Sequence, residues 1–304
     1  MHRAFIFPGQ GSQYVGMGAD IYESIDFAKD RYSCASEILG YDLANISFNG
    51  PSNKLQKTQY TQPAIFVHSI IIDELLKKRG FTADATAGHS LGEFSALVSA
   101  KVLSFEDALK IIQVRSSIMA NVGKKTPGSM AAMLFTNEKQ INLVCQQDGI
   151  VVPANINTPN QIVISGETSA INNAINTAKK IGIKKVIKLN VSGAFHSPLM
   201  ANAKEPIKDI IINTKFNNAM IPVYQNVNAK ATTDSKQIVK NLLNQLESTV
   251  LWLKTIQNMK KNGVNKFIEV GPGKVLVGLN RRIDPKITNI NFDKMEHIYD
   301  RKLL

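Results

Sequence analysis

The chain has 304 residues and a mass of 33.4 kDa, with 44% hydrophobic and 20% charged residues. At that length folding buries about three quarters of the unfolded surface, so a core forms without disulfide or metal, and no run approaches the roughly 18 apolar residues of a spanning helix. Peptide, fibrous and membrane-embedded readings are excluded. The 36 Lys+Arg against 24 Asp+Glu give a net charge of +12, which favours acidic partners such as phosphorylated cofactors, nucleic acid or an acidic protein. Only seven of the basic residues are arginine, and the lysines often adjoin Asn and Ile, as a lysine-rich compositional bias produces. Basicity alone therefore decides little.

Arg3–Phe7 predicts a short buried strand that ends in the glycine-rich loop Pro8-Gly9-Gln10-Gly11-Ser12-Gln13, whose backbone can approach a ligand closely. The chain enters that strand too soon for a charged, apolar and cleavable signal segment, so a cytoplasmic location is expected. Thr61 as N-cap, Pro63 in the first turn and Gly80 after Lys77-Lys78-Arg79 predict a helix. A small-residue strand near Ala83–Ala87 runs into Gly88-His89-Ser90-Leu91-Gly92-Glu93, and a buried helix follows to Ala100. Ser104 with Asp107 predicts a capping box, opening a helix whose stripe Ala108, Ile112, Arg115, Met119, Val122 places one charge on an apolar face before Gly123 stops it. Cys34 and Cys145, far apart and with no second cluster of metal ligands, are expected as reduced, buried thiols.

From Ser129 the pattern changes. Strand 130–135, helix 138–147, strands 151–155 and 161–165, helix 169–181 and strand 184–189 spell β-α-β-β-α-β, the ferredoxin-like order. Turn-rich segments flank it, as expected for a small domain, 126–196, inserted into a larger discontinuous one, 1–125 and 197–304. Helices around 198–212 and 248–262 and a strand 266–270 ending in Gly271-Pro272-Gly273 complete a larger body that reads as α/β.

Gly88-x-Ser90-x-Gly92 between a strand and a helix has two readings, a tight turn or a nucleophile elbow. In the second, the flanking glycines let strand and helix cross closely, and the helix N-terminus offers free N–H groups, notably of Leu91, to an oxyanion. An activated serine needs a base. Of five histidines, His2 and His297 lie near the ends, His68 sits inside a helix and His89 shares the serine's turn, which suits it to bracing the elbow. His196, in the loop after the inserted segment, can approach from elsewhere, although a loop histidine can equally be a surface residue. Arg115 either snorkels to the surface or pairs with a carboxylate, for which its two-pronged donors are suited.

Phe7-Pro8-Gly9-Gln10-Gly11-Ser12-Gln13, Gln62-Pro63-Ala64, Gly88-His89-Ser90-Leu91-Gly92-Glu93, Arg115, Gly193-Ala194-Phe195-His196 and Glu269-Val270-Gly271-Pro272-Gly273 resemble, in order, the motifs of malonyl-CoA:acyl-carrier-protein transacylases of type II fatty acid synthesis. The resemblance spans nearly the whole chain. It implies an α/β-hydrolase-like large domain with a parallel sheet, plus the inserted ferredoxin-like domain. It implies a nucleophile at Ser90, a base at His196 oriented by a main-chain carbonyl, and an oxyanion hole from the Gln10 and Leu91 amides. Arg115 becomes the clamp for the malonyl carboxylate, Gln62 lines the site, and bulky Phe195 crowds a branched acyl group. It implies malonyl-CoA and acyl carrier protein as partners, a monomer, no metal or redox cofactor, and no binding to nucleic acid or membrane. One departure is Leu251 in Thr249-Val250-Leu251-Trp252, where the family often has Gln or Arg. Two rivals use the same residues: a serine esterase or thioesterase, and an acyltransferase-like binding module without turnover.

Overall fold

The computed structural model describes residues 2–300, with the backbone alone at positions 124, 125, 202 and 203. Strand β1 (His2–Phe7) is followed by helices α1 (Ala19–Ser24), α2 (Asp26–Leu39), α3 (Leu43–Asn49), α4 (Ser52–Leu55) and α5 (Thr58–Lys78). Strand β2 (Ala85–Gly88), α6 (Gly92–Ser99) and α7 (Phe105–Lys125) precede the middle segment. That segment comprises β3 (Gly128–Leu134), α8 (Glu138–Cys145), β4 (Val151–Thr158), β5 (Gln161–Glu167), α9 (Thr168–Lys180) and β6 (Lys185–Lys188). A 3₁₀ turn, Pro198–Ala203, leads to α10 (Lys204–Ile212), β7 (Val223–Tyr224), β8 (Ala231–Thr232) and α11 (Ser235–Gln245). The chain ends in α12 (Trp252–Lys261), β9 (Val264–Val270), α13 (Val275–Ile283), β10 (Thr288–Phe292) and α14 (Met295–Tyr299).

Two sheets organise the fold. The first runs in the order β10-β9-β1-β2-β7-β8 and is parallel apart from β8, with Ala4 opposite Ala85 and Ile6 opposite Glu269. Helices cover both of its faces, which is why Ala4–Phe7 and Ala85–Gly88 are buried without alternation. The second sheet, β4-β5-β3-β6, is wholly antiparallel and carries α8 and α9. The two sheets meet through Val250, whose N–H donates to the Ala154 carbonyl and whose carbonyl accepts from Ile156 N–H. The extended pairing of 249–251 explains why α12 begins at Trp252, after the predicted start.

Three other local expectations change. Helix α5 begins at Thr58, with Lys57 and not Thr61 as N-cap, so Pro63 lies inside it. Proline removes the N–H that would bond the carbonyl four residues back, and the Tyr41 hydroxyl donates to that Gln59 carbonyl at 3.1 Å instead. Helix α7 continues past Gly123, where a Cβ would overlap the Ser192 carbonyl, so this glycine serves a close backbone approach and does not stop the helix. At its start the Ser104 hydroxyl accepts the Asp107 N–H, the N-cap half of the expected box. Both cysteines are free thiols but only half-buried, a correction to the buried reading, and burial pushes Cys145 up to about 11. Among the described residues no helix is long and apolar enough to cross a membrane.

Candidate active site

The Gly88–Gly92 turn joins β2 to α6 where the strand and the helix almost touch. A Cβ at position 88 would overlap the Gly92 backbone, and one at 92 the Phe7 backbone at the end of β1. Only glycine permits that crossing, and the tight bend leaves Ser90 at φ 50°, a left-handed conformation rare for a residue with a Cβ. The serine is thereby thrust out of the turn.

His196 comes from the loop after β6, itself at φ 59°, and its Nε2 lies 2.8 Å from Ser90 Oγ. Its Nδ1–H donates to the Gln245 main-chain carbonyl at 2.9 Å, which leaves Nε2 bare to accept the serine proton. The orienting carbonyl belongs to the end of α11 and not to the Thr249–Trp252 segment, so Leu251 leaves this contact untouched. Leu251 instead donates its N–H to the Asn226 carbonyl. His196 is 4% exposed, and burial, then the nearby Arg115 charge, hold its pKa down to about 3. His89 does not compete for the serine: its Nε2 lies 2.8 Å from Asn157 Oδ1 on β4, so it ties the elbow to the second sheet.

Arg115 does not snorkel. It is 1% exposed, its guanidinium lies over the Phe94 ring, and its nitrogens donate to Gln62 Oε1 at 2.7 Å, Gln245 Oε1 at 3.1 Å and Ser90 Oγ at 3.2 Å. Its buried Nε has no partner among the described residues. Burial lowers its pKa to about 10, against the opposing charge of Glu93, so it stays cationic at neutral pH. A buried cation bonded only to neutral groups is a site for an incoming anion.

Gln62, Ser90, Leu91, Phe195 and His196 line one cavity of about 110 Å³ together with Gln10. The space is well below the roughly 300 Å³ of a pocket for a drug-sized ligand, so it suits a short acyl group. Gln10 and Val191 also line a larger groove, about 550 Å³, that opens outward between Lys57–Gln59 and Asn190–Ser192. The backbone N–H groups of Gln10 and Leu91 have no acceptor among the described residues. The seven residues singled out from sequence thus gather around one cavity, Arg115 bordering it through Gln62 and Ser90. No cluster of three or more His, Cys, Asp or Glu able to hold a metal occurs among the described residues.

Two residues here escaped sequence reading. Gln245 accepts from both His196 and Arg115, and its amide donates to the Ser90 carbonyl at 3.1 Å. The available signal was its place on the buried stripe Ile238, Asn241, Leu242, Gln245, a polar residue at helical core spacing like Arg115. Asn226 accepts the Ser90 N–H at 2.6 Å from a turn that no pattern marks.

The acyl transferase domain family matches residues 4–283. The malonyl CoA-acyl carrier protein transacylase of Staphylococcus aureus is 42% identical over 293 residues, covering 94% of each chain. An acyl carrier protein S-malonyltransferase from Vibrio cholerae superimposes with a TM-score of 0.93 at 37% identity, covering 98% of this chain and 99% of that one. A malonyl-transacylase solved in complex with a type II PKS acyl-carrier protein gives 0.93 at 33% identity, covering 98% of both chains. The chain therefore belongs to the acyl transferase domain family, alongside the malonyl CoA-acyl carrier protein transacylases.

Proposed function

We propose that this acyltransferase moves the malonyl group of malonyl-CoA to the phosphopantetheine thiol of an acyl carrier protein through an ester on Ser90. The observation that carries the reading is the convergence on one hydroxyl of a neutral imidazole nitrogen at 2.8 Å and a buried guanidinium at 3.2 Å. His196 Nε2 removes the Ser90 proton as Oγ attacks the thioester carbonyl. The Gln10 and Leu91 N–H groups stabilise the oxyanion, the C–S bond breaks, and the departing CoA sulfur takes the proton from His196. The carrier thiol then gives its proton to His196, attacks the ester and releases Ser90, which recovers that proton. Arg115, held by Gln62 and Gln245, binds the malonyl carboxylate, and Phe195 limits branching beside it. The groove past Gln10 and Val191 admits the pantetheine arm of either thioester.

Supporting this reading at the level of architecture, we assign 1–125 and 197–304 to an α/β-hydrolase-like domain and 126–196 to a ferredoxin-like one. The strand order β4-β5-β3-β6 and the helix-flanked parallel sheet with its strand–turn–helix elbow are in keeping with that division. The reading carries with it a cytoplasmic protein, acting as a monomer without metal or redox cofactor and not bound to nucleic acid or membrane. The test is intact-protein mass spectrometry after brief incubation with malonyl-CoA. A malonyl increment on the wild type that is lost in Ser90→Ala supports the ester, whereas an increment on the mutant places the nucleophile elsewhere.

A further inference from the structure

The elbow poses a problem that its own residues do not solve. A left-handed Ser90 breaks the β2 ladder at the point where β2 should keep bonding β7, its register partner through Thr86–Val223 and Ala87–Tyr224. Beyond that last pair the Ser90 N–H and the Gly88 carbonyl, on opposite sides of the bend, have no strand to meet, and buried backbone groups left unpaired are costly.

The carboxamide of Asn226, two residues past β7, meets both. Its Oδ1 accepts the Ser90 N–H at 2.6 Å and its Nδ2 donates to the Gly88 carbonyl at 2.6 Å. Asn226 is 2% exposed and its backbone is fixed as firmly: its N–H donates to Glu93 Oε2 at 2.8 Å, and its carbonyl accepts the Leu251 N–H at 3.0 Å. Glu93, 1% exposed, also accepts from Gln225 Nε2 at 3.0 Å. Donor and acceptor are required in that order, so one orientation of the amide satisfies the turn.

We infer that Asn226, anchored by Glu93, is a positioning residue that holds the Ser90 elbow in its left-handed, reactive form by bridging Gly88 and Ser90 with its carboxamide. The inference rests on Ser90 being the nucleophile. It requires that the residue act on the serine itself, irrespective of which acyl group is bound.

The experiment follows the rate of covalent labelling of Ser90, in wild type, Asn226→Asp and Asn226→Ala, by malonyl-CoA and by a fluorophosphonate, which needs no carboxylate clamp. Asn226→Asp keeps the shape but sets a carboxylate oxygen against the Gly88 carbonyl. A misplaced nucleophile predicts about 10- to 100-fold slower labelling by both reagents at about pH 8. Protonation of the new carboxyl restores an O–H donor toward Gly88, so the deficit should shrink toward about pH 5, while Asn226→Ala stays slow throughout. The malonyl-CoA KM should stay within about twofold, because Arg115 and Gln62 are untouched. Wild-type rates in either folded variant, or a deficit in Asn226→Asp that ignores pH, would overturn the inference. Absence of labelling at Ser90 in the wild type would instead remove the nucleophile reading on which it stands.

Discussion

Arg115 and His196 both meet Ser90 Oγ, and the charge of the first adds to burial in lowering the proton affinity of the second. Truncating Arg115 leaves a desolvated malonyl carboxylate without a partner, a loss of about 3–5 kcal/mol by analogy with broken buried pairs, or roughly 10²- to 10³·⁵-fold in kcat/KM. Acetyl-CoA carries no carboxylate and should lose far less, the residue of that loss reflecting the Arg115 contact with Ser90 Oγ. Comparing kcat/KM of Arg115→Ala with both thioesters tests this, and equal losses would restrict Arg115 to holding the fold. The same pair sets the pH profile. Burial first, and the Arg115 charge second, keep the free imidazole neutral down to about pH 3, so the acid limb of kcat/KM lies far below the ordinary histidine range. A substrate carboxylate on Arg115 offsets that charge and raises the imidazole pKa, so the acid limb of kcat should stand at higher pH than that of kcat/KM. Arg115→Ala should raise the limb in the free enzyme likewise. Coincident limbs at the ordinary histidine value would contradict both statements. The residues of this pair were legible as a charge on an apolar stripe and a histidine in a loop. Gln245 was not, because its decisive group is a main-chain carbonyl, which every residue possesses.

Two buried carboxylates tie the C-terminal elements into the fold. Asp293, just past β10, accepts from the Tyr14 hydroxyl at 3.0 Å and the Gly273 N–H at 3.1 Å, and faces His68 Nε2 on α5 at 3.0 Å. Glu269, at the end of β9 and 0% exposed, accepts the Leu276 and Val277 N–H groups in the first turn of α13, at 2.9 and 2.8 Å. Burial outweighs those donors and pushes Glu269 up to about 7 from 4.5. An acid whose pKa rises on folding binds its proton more tightly when folded, so this contribution is complete below the ordinary glutamate value and is lost as pH rises through about 7. Its size is on the order of 3 kcal/mol. Glutamine is the neutral counterpart of the protonated carboxyl, so urea midpoints of the wild type and Glu269→Gln should lie closest at acid pH and separate as pH rises through about 7, the wild type losing stability relative to the variant; a gap independent of pH would sink the assignment. Elements of this kind show which stretches speak through their sequence. The β3–β6 segment was legible because β3, β4 and β5 run seven or eight residues each and Asn137 and Gln140 form a reciprocal capping box at the start of α8. Strands β7 and β8, two residues each, offer no period to read, yet β7 delivers Asn226 to the elbow. Helix α5 has its N-cap four residues before the predicted one because proline alone points to a first turn, and the Tyr41 hydroxyl that makes an interior proline tolerable comes from a distant segment.

At the scale of the whole molecule, the net charge of +12 acquires a location that composition could not give it. Lys184, Lys185 and Lys188 lie exposed on or beside β6, the edge strand of the second sheet. That strand runs directly into Asn190, Val191 and Ser192, which line the groove leading to Ser90. Lys260 pairs with Asp284, so less of its charge is free for a partner, whereas Lys188 and Arg282 donate to the neutral amides of Asn172 and Gln161 and keep theirs. Carrier proteins of this pathway are typically acidic, and an acidic partner entering by the groove would meet Lys57, which lines it, with the β6 lysines close by in sequence to its other wall. Association between opposite charges is steered over roughly a Debye length of 8–10 Å at physiological salt. The double variant Lys185→Glu/Lys188→Glu should then raise KM for the carrier protein, by about tenfold if each exposed charge contributes near 0.5–1 kcal/mol, and flatten the salt dependence of turnover. Formation of the malonyl-Ser90 adduct from malonyl-CoA should keep its wild-type rate, and Lys260→Glu/Lys261→Glu should change neither half-reaction. The measurement separates the half-reactions, following adduct formation by rapid quench and its discharge by carrier protein at two ionic strengths. If adduct formation slows as much as discharge, these lysines serve the phosphates of CoA; if neither slows, they belong to the compositional bias of the chain and the carrier docks elsewhere.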